Sequence, residues 1–144
     1  SFPTRRSSDL IREIMVKTYE QLFGKKPKVN ISHGGNDCVV LKEKIPELDM
    51  VTTAATYVDY HTPRERLYMD TFEKVYALVR ATLENLAKNI AFKVKRTKKP
   101  VFLEPMNPYE RRVIHSALQN DPLVSTHSEG EEPYRHVVVK LKRW

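Results

Sequence analysis

Apolar residues recur at helical spacing early in the chain. Ile11, Ile14, Met15, Tyr19, Leu22 and Phe23 share one face, and Gly24 with Pro27 supplies the stop. Lys28–Ser32 alternates like a short strand, His33–Gly35 turns, and Cys38–Lys44 fits a short helix closed before Pro46. Met50–Ala55 is rich in β-branched residues and predicts a second, more buried strand, so strand, helix and strand together predict a small α/β unit. Asp70 then caps a long helix, with Glu73 three residues on. Phe72, Val75, Tyr76, Val79, Leu83, Leu86 and Ile90 carry its apolar stripe without a break before Lys95.

Beyond Pro100 the period changes. Val101–Leu103 reads as a short strand, after which Asn107, Pro108 and Glu110 form the start of a helix: cap, first-turn proline and capping-box partner. In that helix Ile114, Ala117 and Leu118 make the apolar stripe. Arg111 and His115, four residues apart, share a different face and are expected to point away from the core together. Leu123–Thr126 and His136–Leu141 read as strands joined by the acidic turn Glu129–Glu132. In the last strand Val137, Val139 and Leu141 take one face, and His136, Val138 and Lys140 the other.

Charge sharpens this picture more than composition does. The net charge is +7 and the pI about 9.5, a balance that favours an acidic partner such as nucleic acid. From Leu83 onward twelve Lys and Arg meet seven Asp and Glu, net +5, whereas thirteen meet eleven before it, net +2. Cys38 is the only cysteine, which excludes an intrachain disulfide and a cysteine-rich zinc site. No apolar run reaches the roughly 18 residues of a membrane span, and the first ten residues lack a secretory core. The expected location is the cytoplasm, with no membrane partner.

The strings Glu104-Pro-Met-Asn-Pro-Tyr-Glu-Arg-Arg-Val-Ile-His-Ser-Ala-Leu118 and Ser128-Glu-Gly-Glu-Glu-Pro-Tyr-Arg135 are specific rather than compositional. Over roughly Leu83–Lys142 the chain resembles the Arg-x-x-x-His domain of the Jag, or SpoIIIJ-associated, group of bacterial RNA-binding proteins. An isolated Arg-x-x-x-His is ordinarily a solvated helix face; the two longer strings carry the resemblance. It implies binding of single-stranded RNA or DNA, with Arg111 and His115 at the signature positions and no cofactor. Arg112 and Arg135 join them as candidate contacts, an arginine fork suiting phosphate and base faces alike. Lys95, Arg96, Lys98 and Lys99 read either as a solvated helix end that complements the macrodipole or as phosphate contacts. Tyr109 and Tyr134 read as stacking faces or as half-buried packing. The acidic turn lies off the phosphate path or fixes Arg135. Relatives in this group usually carry a KH domain upstream. This chain contains no Gly-x-x-Gly, so its affinity is expected to fall below theirs.

A second resemblance rests on His33, Gly35 and Cys38, on Pro46, Asp49, Met50 and Val51, and on His61, Thr62, Pro63, Glu65 and Arg66. In this order they are similar to the C-terminal end of the zinc-dependent aminoacyl-histidine dipeptidases, with Asp37 in place of a glutamate and Arg64 in place of an aspartate. The resemblance implies that His61 is a zinc ligand. A catalytic zinc needs three protein ligands, and the family's His-x-Asp motif does not occur here. Zinc would bind only if other segments completed the set, and the chain is expected not to act as an enzyme. The alternative function is a C-terminal dipeptidase fragment, inactive alone.

The two resemblances meet near Ala81–Glu84, within the long helix, where a natural fusion and an assembly chimera look alike. Ser1–Leu10 resembles the conceptual translation of a sequencing adapter and is set apart from the fold. The expected class is α/β. An incomplete dipeptidase-like half domain over 11–82 passes through the long helix into a small α+β Arg-x-x-x-His domain over 83–144, and the incomplete half is a candidate surface for self-association.

Overall fold

The computed structural model describes residues 10–30, 37–44 and 50–142, and the chain divides into two units, Ser1–Ala81 and Thr82–Trp144. In the first, α1 (Leu10–Phe23) follows the expected apolar spacing and buries Ile14 and Thr18. The Thr18 hydroxyl is satisfied within the helix by donating to the Ile14 carbonyl at 2.8 Å. Gly24 ends the helix: at φ 65° it takes the left-handed position open to glycine, and its N–H reaches the Glu20 carbonyl at 2.9 Å. α2 spans Asp37–Lys44, one residue longer than its sequence signal.

Among the described residues the expected strands of this unit do not form. Residues 28–30 have no regular structure, and Ile31, Ser32, the His33–Gly35 turn, Pro46 and Asp49 lie outside the described residues. Within Met50–Ala55 the residues from Val51 onward alternate in burial as a strand would, yet the segment pairs with no strand among the described residues. β propensity describes a fit to a pleated, half-covered surface, and a strand exists only where a neighbour supplies the ladder. The pairing found here is a two-residue antiparallel ladder, β1 (Tyr57–Val58) with β2 (Arg66–Leu67). The Thr62 hydroxyl, donating to the Asp59 carbonyl at 2.6 Å, braces the loop between them.

α3 (Met69–Thr97) is 29 residues long and crosses the boundary between the units without interruption, as its stripe predicted. Its start differs from expectation. The first amides, from Thr71 and Phe72, bond the Tyr68 carbonyl, so Asp70 stands inside the first turn. There it pairs with Lys74 at 3.2 Å instead of forming a capping box with Glu73.

In the second unit α3 buries Thr82, Leu83, Ala87, Ile90, Ala91 and Val94. It closes at Lys98, whose φ is 59° and whose amide returns to the Val94 carbonyl at 2.9 Å. β3 (Val101–Phe102), α4 (Pro108–Leu118), β4 (Val124–Glu129) and β5 (His136–Leu141) follow. The sheet order is β3-β5-β4, antiparallel throughout, and α4 packs on β4 and β5. The buried set here combines Ile114 and Leu118 of α4 with Val124, Val137, Val138 and Val139 of the sheet.

β4 runs on to Glu129, past the Thr126 at which its apolar signal ends. All six of its residues are in register with β5, from Val124 opposite Leu141 to Glu129 opposite His136. The backbone ladder extends a strand whose side chains alone would not announce it. Val138 lies on the face of His136 and Lys140, as its parity requires, but is only 2 % exposed. It sits on the central strand, paired with Phe102 on one side and His127 on the other. Among the described residues no helix is long and apolar enough to cross a membrane.

Candidate nucleic-acid interface

α4 begins as its sequence dictates. The Asn107 side-chain oxygen accepts from the Glu110 amide at 3.0 Å, and the Glu110 carboxylate accepts from the Asn107 amide at 2.9 Å. Two otherwise orphaned donors are satisfied together, which fixes the helix phase and with it the direction of every later side chain. Ile114 and Leu118 turn inward, leaving Arg112, His115, Ser116 and Gln119 along the neighbouring stripe.

Arg111 does not point away from the core. It is 9 % exposed, with one guanidinium nitrogen donating to the Met106 carbonyl and another to the Glu132 carboxylate, both at 2.6 Å. Helical side chains lean toward the N-terminus, which carries the long arginine stem back over the start of α4 toward the β4–β5 connection. The acidic turn therefore fixes both arginines, Arg111 through the Glu132 carboxylate and Arg135, as expected, through the Gly130 carbonyl, which accepts from its guanidinium at 2.8 Å.

His115 is likewise engaged. Its Nδ1 lies 2.7 Å from the Thr126 hydroxyl and its Nε2 2.9 Å from the Ser128 hydroxyl. Thr126 and Ser128 alternate onto the same face of β4, so one imidazole bridges the strand at two points. Hydroxyls both donate and accept, and a neutral ring with one donor and one acceptor nitrogen satisfies both. The electrostatics favour that form: desolvation lowers the His115 pKa below its ordinary value, and the positive fields of Arg111 and His127 lower it further.

These groups enclose an open cleft of about 420 Å³. Pro108, Arg111, Arg112, His115, Ser116 and Gln119 line it from α4, with Ser128 and Arg135 from the hairpin. Arg111, Arg112, His115 and Arg135, expected from the sequence, thus meet at one surface. Ser116, Gln119 and Ser128 join them from outside the expected set. Helical spacing from Arg112 and His115 points to Ser116 and Gln119; Ser128 required knowledge of the sheet register.

The remaining candidates lie elsewhere. Lys95 is tied to Asp121 at 2.5 Å, a pair 33 % and 17 % exposed, so this cation is committed to the fold. Burial raises the Asp121 pKa, but hydrogen bonds from Lys95, Leu123 and Val124 and the lysine charge outweigh it, and the net shift is downward. Arg96, Lys98 and Lys99 are exposed beyond the cleft, as are Tyr109 and Tyr134, 42 % and 61 % accessible. His61 is exposed at φ 62°, its amide donating to Glu65 at 3.1 Å. Among the described residues no group of three or more His, Cys, Asp or Glu side chains converges as a metal site.

Comparison with known proteins finds two kinds of relative. RNA-binding protein KhpB of Clostridium symbiosum is 64 % identical over 78 residues, 54 % of this chain and 35 % of that protein. RNA-binding protein KhpB of Bacillus subtilis (strain 168) is 42 % identical over 64 residues, 43 % of this chain and 31 % of its own length. The chain thus spans about a third of these relatives. The cytosol non-specific dipeptidase of Escherichia coli (strain K12) is 29 % identical over 76 residues, 53 % of this chain but 16 % of the enzyme. The R-three-H domain family, whose name abbreviates the Arg-x-x-x-His signature, matches residues 81–141. That span contains the capped helix, the three-stranded sheet and the whole cleft, and these residues are an R-three-H domain.

Proposed function

We propose that this chain binds single-stranded nucleic acid, RNA before DNA, through the cleft between α4 and the β4–β5 hairpin. The observation that carries this reading is the convergence of Arg111, Arg112, Arg135 and His115 on one open surface of an R-three-H domain. The names of the KhpB relatives favour RNA. Within the cleft the residues divide the work. Arg111 and His115 hold the walls, while exposed Arg112 and the remaining donors of Arg135 meet phosphate. Ser116, Gln119 and Ser128 offer neutral donors and acceptors beside the charge. The cytoplasm, where RNA and a reduced Cys38 are both at home, is the compartment that suits this activity.

Fluorescence anisotropy with labelled single-stranded RNA, single-stranded DNA and duplex RNA across a salt series tests the proposal. The wild type should favour the single strand. Arg112→Ala with Arg135→Ala should weaken binding and flatten the salt slope by about 0.7 log units for each phosphate no longer neutralised. If wild type and double variant bind alike at every salt concentration, diffuse positive charge is responsible and the cleft is not.

The N-terminal portion we read as a dipeptidase-like segment without hydrolytic activity of its own, a reading favoured by the match to the E. coli enzyme. His61 would be one zinc ligand lacking partners. Met69, Phe72 and Tyr76 at the start of α3, 64 %, 51 % and 50 % exposed, are a surface for self-association. Zinc-dependent release of histidine from a dipeptide would overturn the first statement, and a monomer at high concentration in size-exclusion chromatography the second.

A further inference from the structure

The face of the sheet that carries Val138 has a composition unlike an ordinary solvent face. Phe102 stands opposite Val138 in the β3–β5 register and is 61 % exposed, on a strand of only two residues. Parity places His136 and Lys140 on the same face of β5, and the Phe102 and His136 rings are diagonal neighbours with centroids 6.2 Å apart, tilted by 57°. An exposed phenylalanine forgoes the stabilisation that burial would give it. On β4 the acidic group of this face, Glu129, is bound to His127 at 2.6 Å.

Charge and continuity identify what the rings suit. Lys98 and Lys99, separated from β3 by Pro100, are exposed, and Lys140 follows His136 at four residues on the central strand. The connection to the cleft is covalent and short. Arg135 lines the cleft, His136 lies on the sheet face, and Tyr134, 61 % exposed, stands beside Arg135 at the end of the hairpin. A single strand leaving the cleft at Arg135 meets Tyr134 and then the Phe102–His136 pair within consecutive residues. Interleaved cations and exposed rings along one path are how proteins hold single strands without reading sequence, since every base has a face to stack.

We propose that the outer face of the β3-β5-β4 sheet is a second contact zone for single-stranded nucleic acid. Bases stack on Phe102 and His136, while Lys98, Lys99 and Lys140 meet the flanking phosphates. This rests on the proposed binding at the cleft and extends its footprint from a few nucleotides to a wrapped strand of about ten. It also gives a role to Lys98, Lys99 and Tyr134, which the cleft leaves unused.

The test uses the full chain and labelled oligouridylates of about four and about twelve nucleotides in anisotropy titrations at fixed salt. Phe102→Ala should leave the short oligomer's affinity unchanged and weaken the long one at least about fivefold. Phe102→Trp should retain long-oligomer affinity and show ring fluorescence quenched on binding, beyond any quenching seen for the wild type with its own Trp144. Equal affinity of Phe102→Ala and wild type for the long oligomer, with Arg112→Ala still weakening both oligomers, overturns the platform and leaves the cleft standing. Absence of wild-type binding to either oligomer overturns both. Matching thermal midpoints of Phe102→Ala and wild type separate a defect in stacking from a defect in folding.

Discussion

Arg111 and Glu132, 21 residues apart in sequence, are joined at 2.6 Å, the arginine side chain 10 % exposed and the glutamate 54 %. The pair connects the first turn of α4 to the β4–β5 connection, and the second arginine contact, to the Met106 carbonyl, ties in the segment before the helix. Charge-assisted bonds of this kind contribute about 1.5–3 kcal/mol each when one partner is buried, less where the other meets water. Arg111→Ala is therefore expected to lower stability by about 2 kcal/mol in urea unfolding. Arg111→Lys should recover less than half, because a point charge cannot span both acceptors. A loss below about 0.5 kcal/mol for the alanine variant would mean that Arg111 is held for a ligand and not for the fold.

His115 gives the domain an acid limit. Its folded pKa lies below the ordinary value of 6.5, so between the two values the unfolded chain binds more protons than the native one. Stability then rises with pH through that window and is fully present above about 6.5. Acidification from pH 7.5 to 5.5 should lower the urea midpoint, and His115→Gln, which keeps a donor and an acceptor, should flatten that part of the profile. The same slope in His115→Gln and wild type would assign the acid sensitivity to other groups.

What could be read from the sequence followed the range of the interactions. The Asn107–Glu110 box and the 29-residue helix α3 depend on neighbours three or four residues away, and both are present. The direction of Arg111 depends on Glu132, and the double tether of His115 on Thr126 and Ser128, partners supplied only when the hairpin folds back. Helical period could say that both side chains avoid the apolar stripe; it could not distinguish solvent from a second set of polar partners. The strand expected at Met50–Ala55 failed for the complementary reason. Its composition was favourable, but a ladder needs a neighbour that composition does not provide.

Lys95 and Lys98 should separate structure from binding within one basic run. Lys95 is paired with Asp121, whose carboxyl also accepts from the Leu123 amide at 2.9 Å, whereas Lys98 is exposed at the end of α3. Lys95→Ala is expected to cost about 1 kcal/mol, since the pair is only partly shielded from water, with little change in the salt slope of RNA binding. Lys98→Ala should do the reverse. Because the Asp121 pKa is depressed, its contribution is present above 3.8, the ordinary value, and is lost as pH falls through the folded value. Comparing urea midpoints of Lys95→Ala and wild type at pH 7 and pH 3 checks this, and a pH-independent difference would contradict it.

Gly130 sets the hairpin geometry on which Arg135 depends. At φ 82° it occupies a conformation that costs an L-residue about 1–2 kcal/mol, and an added Cβ would stand 3.3 Å from the Tyr134 carbonyl oxygen and 3.6 Å from the Arg135 Cα. The tight approach, to the Tyr134 carbonyl oxygen, is to a backbone atom, so relief requires the chain itself to give by a few tenths of an ångström, and the Gly130 carbonyl that receives the Arg135 guanidinium shifts with it. Gly130→Ala is expected to lower the thermal midpoint and to weaken single-strand binding together, because one backbone position controls both the turn and the cationic wall of the cleft. Arg135→Ala should weaken binding with a much smaller loss of stability. If Gly130→Ala melts with the wild type yet binds poorly, the turn tolerates the side chain and only the aim of Arg135 has changed; if it both melts and binds as the wild type does, the left-handed turn is not required for either.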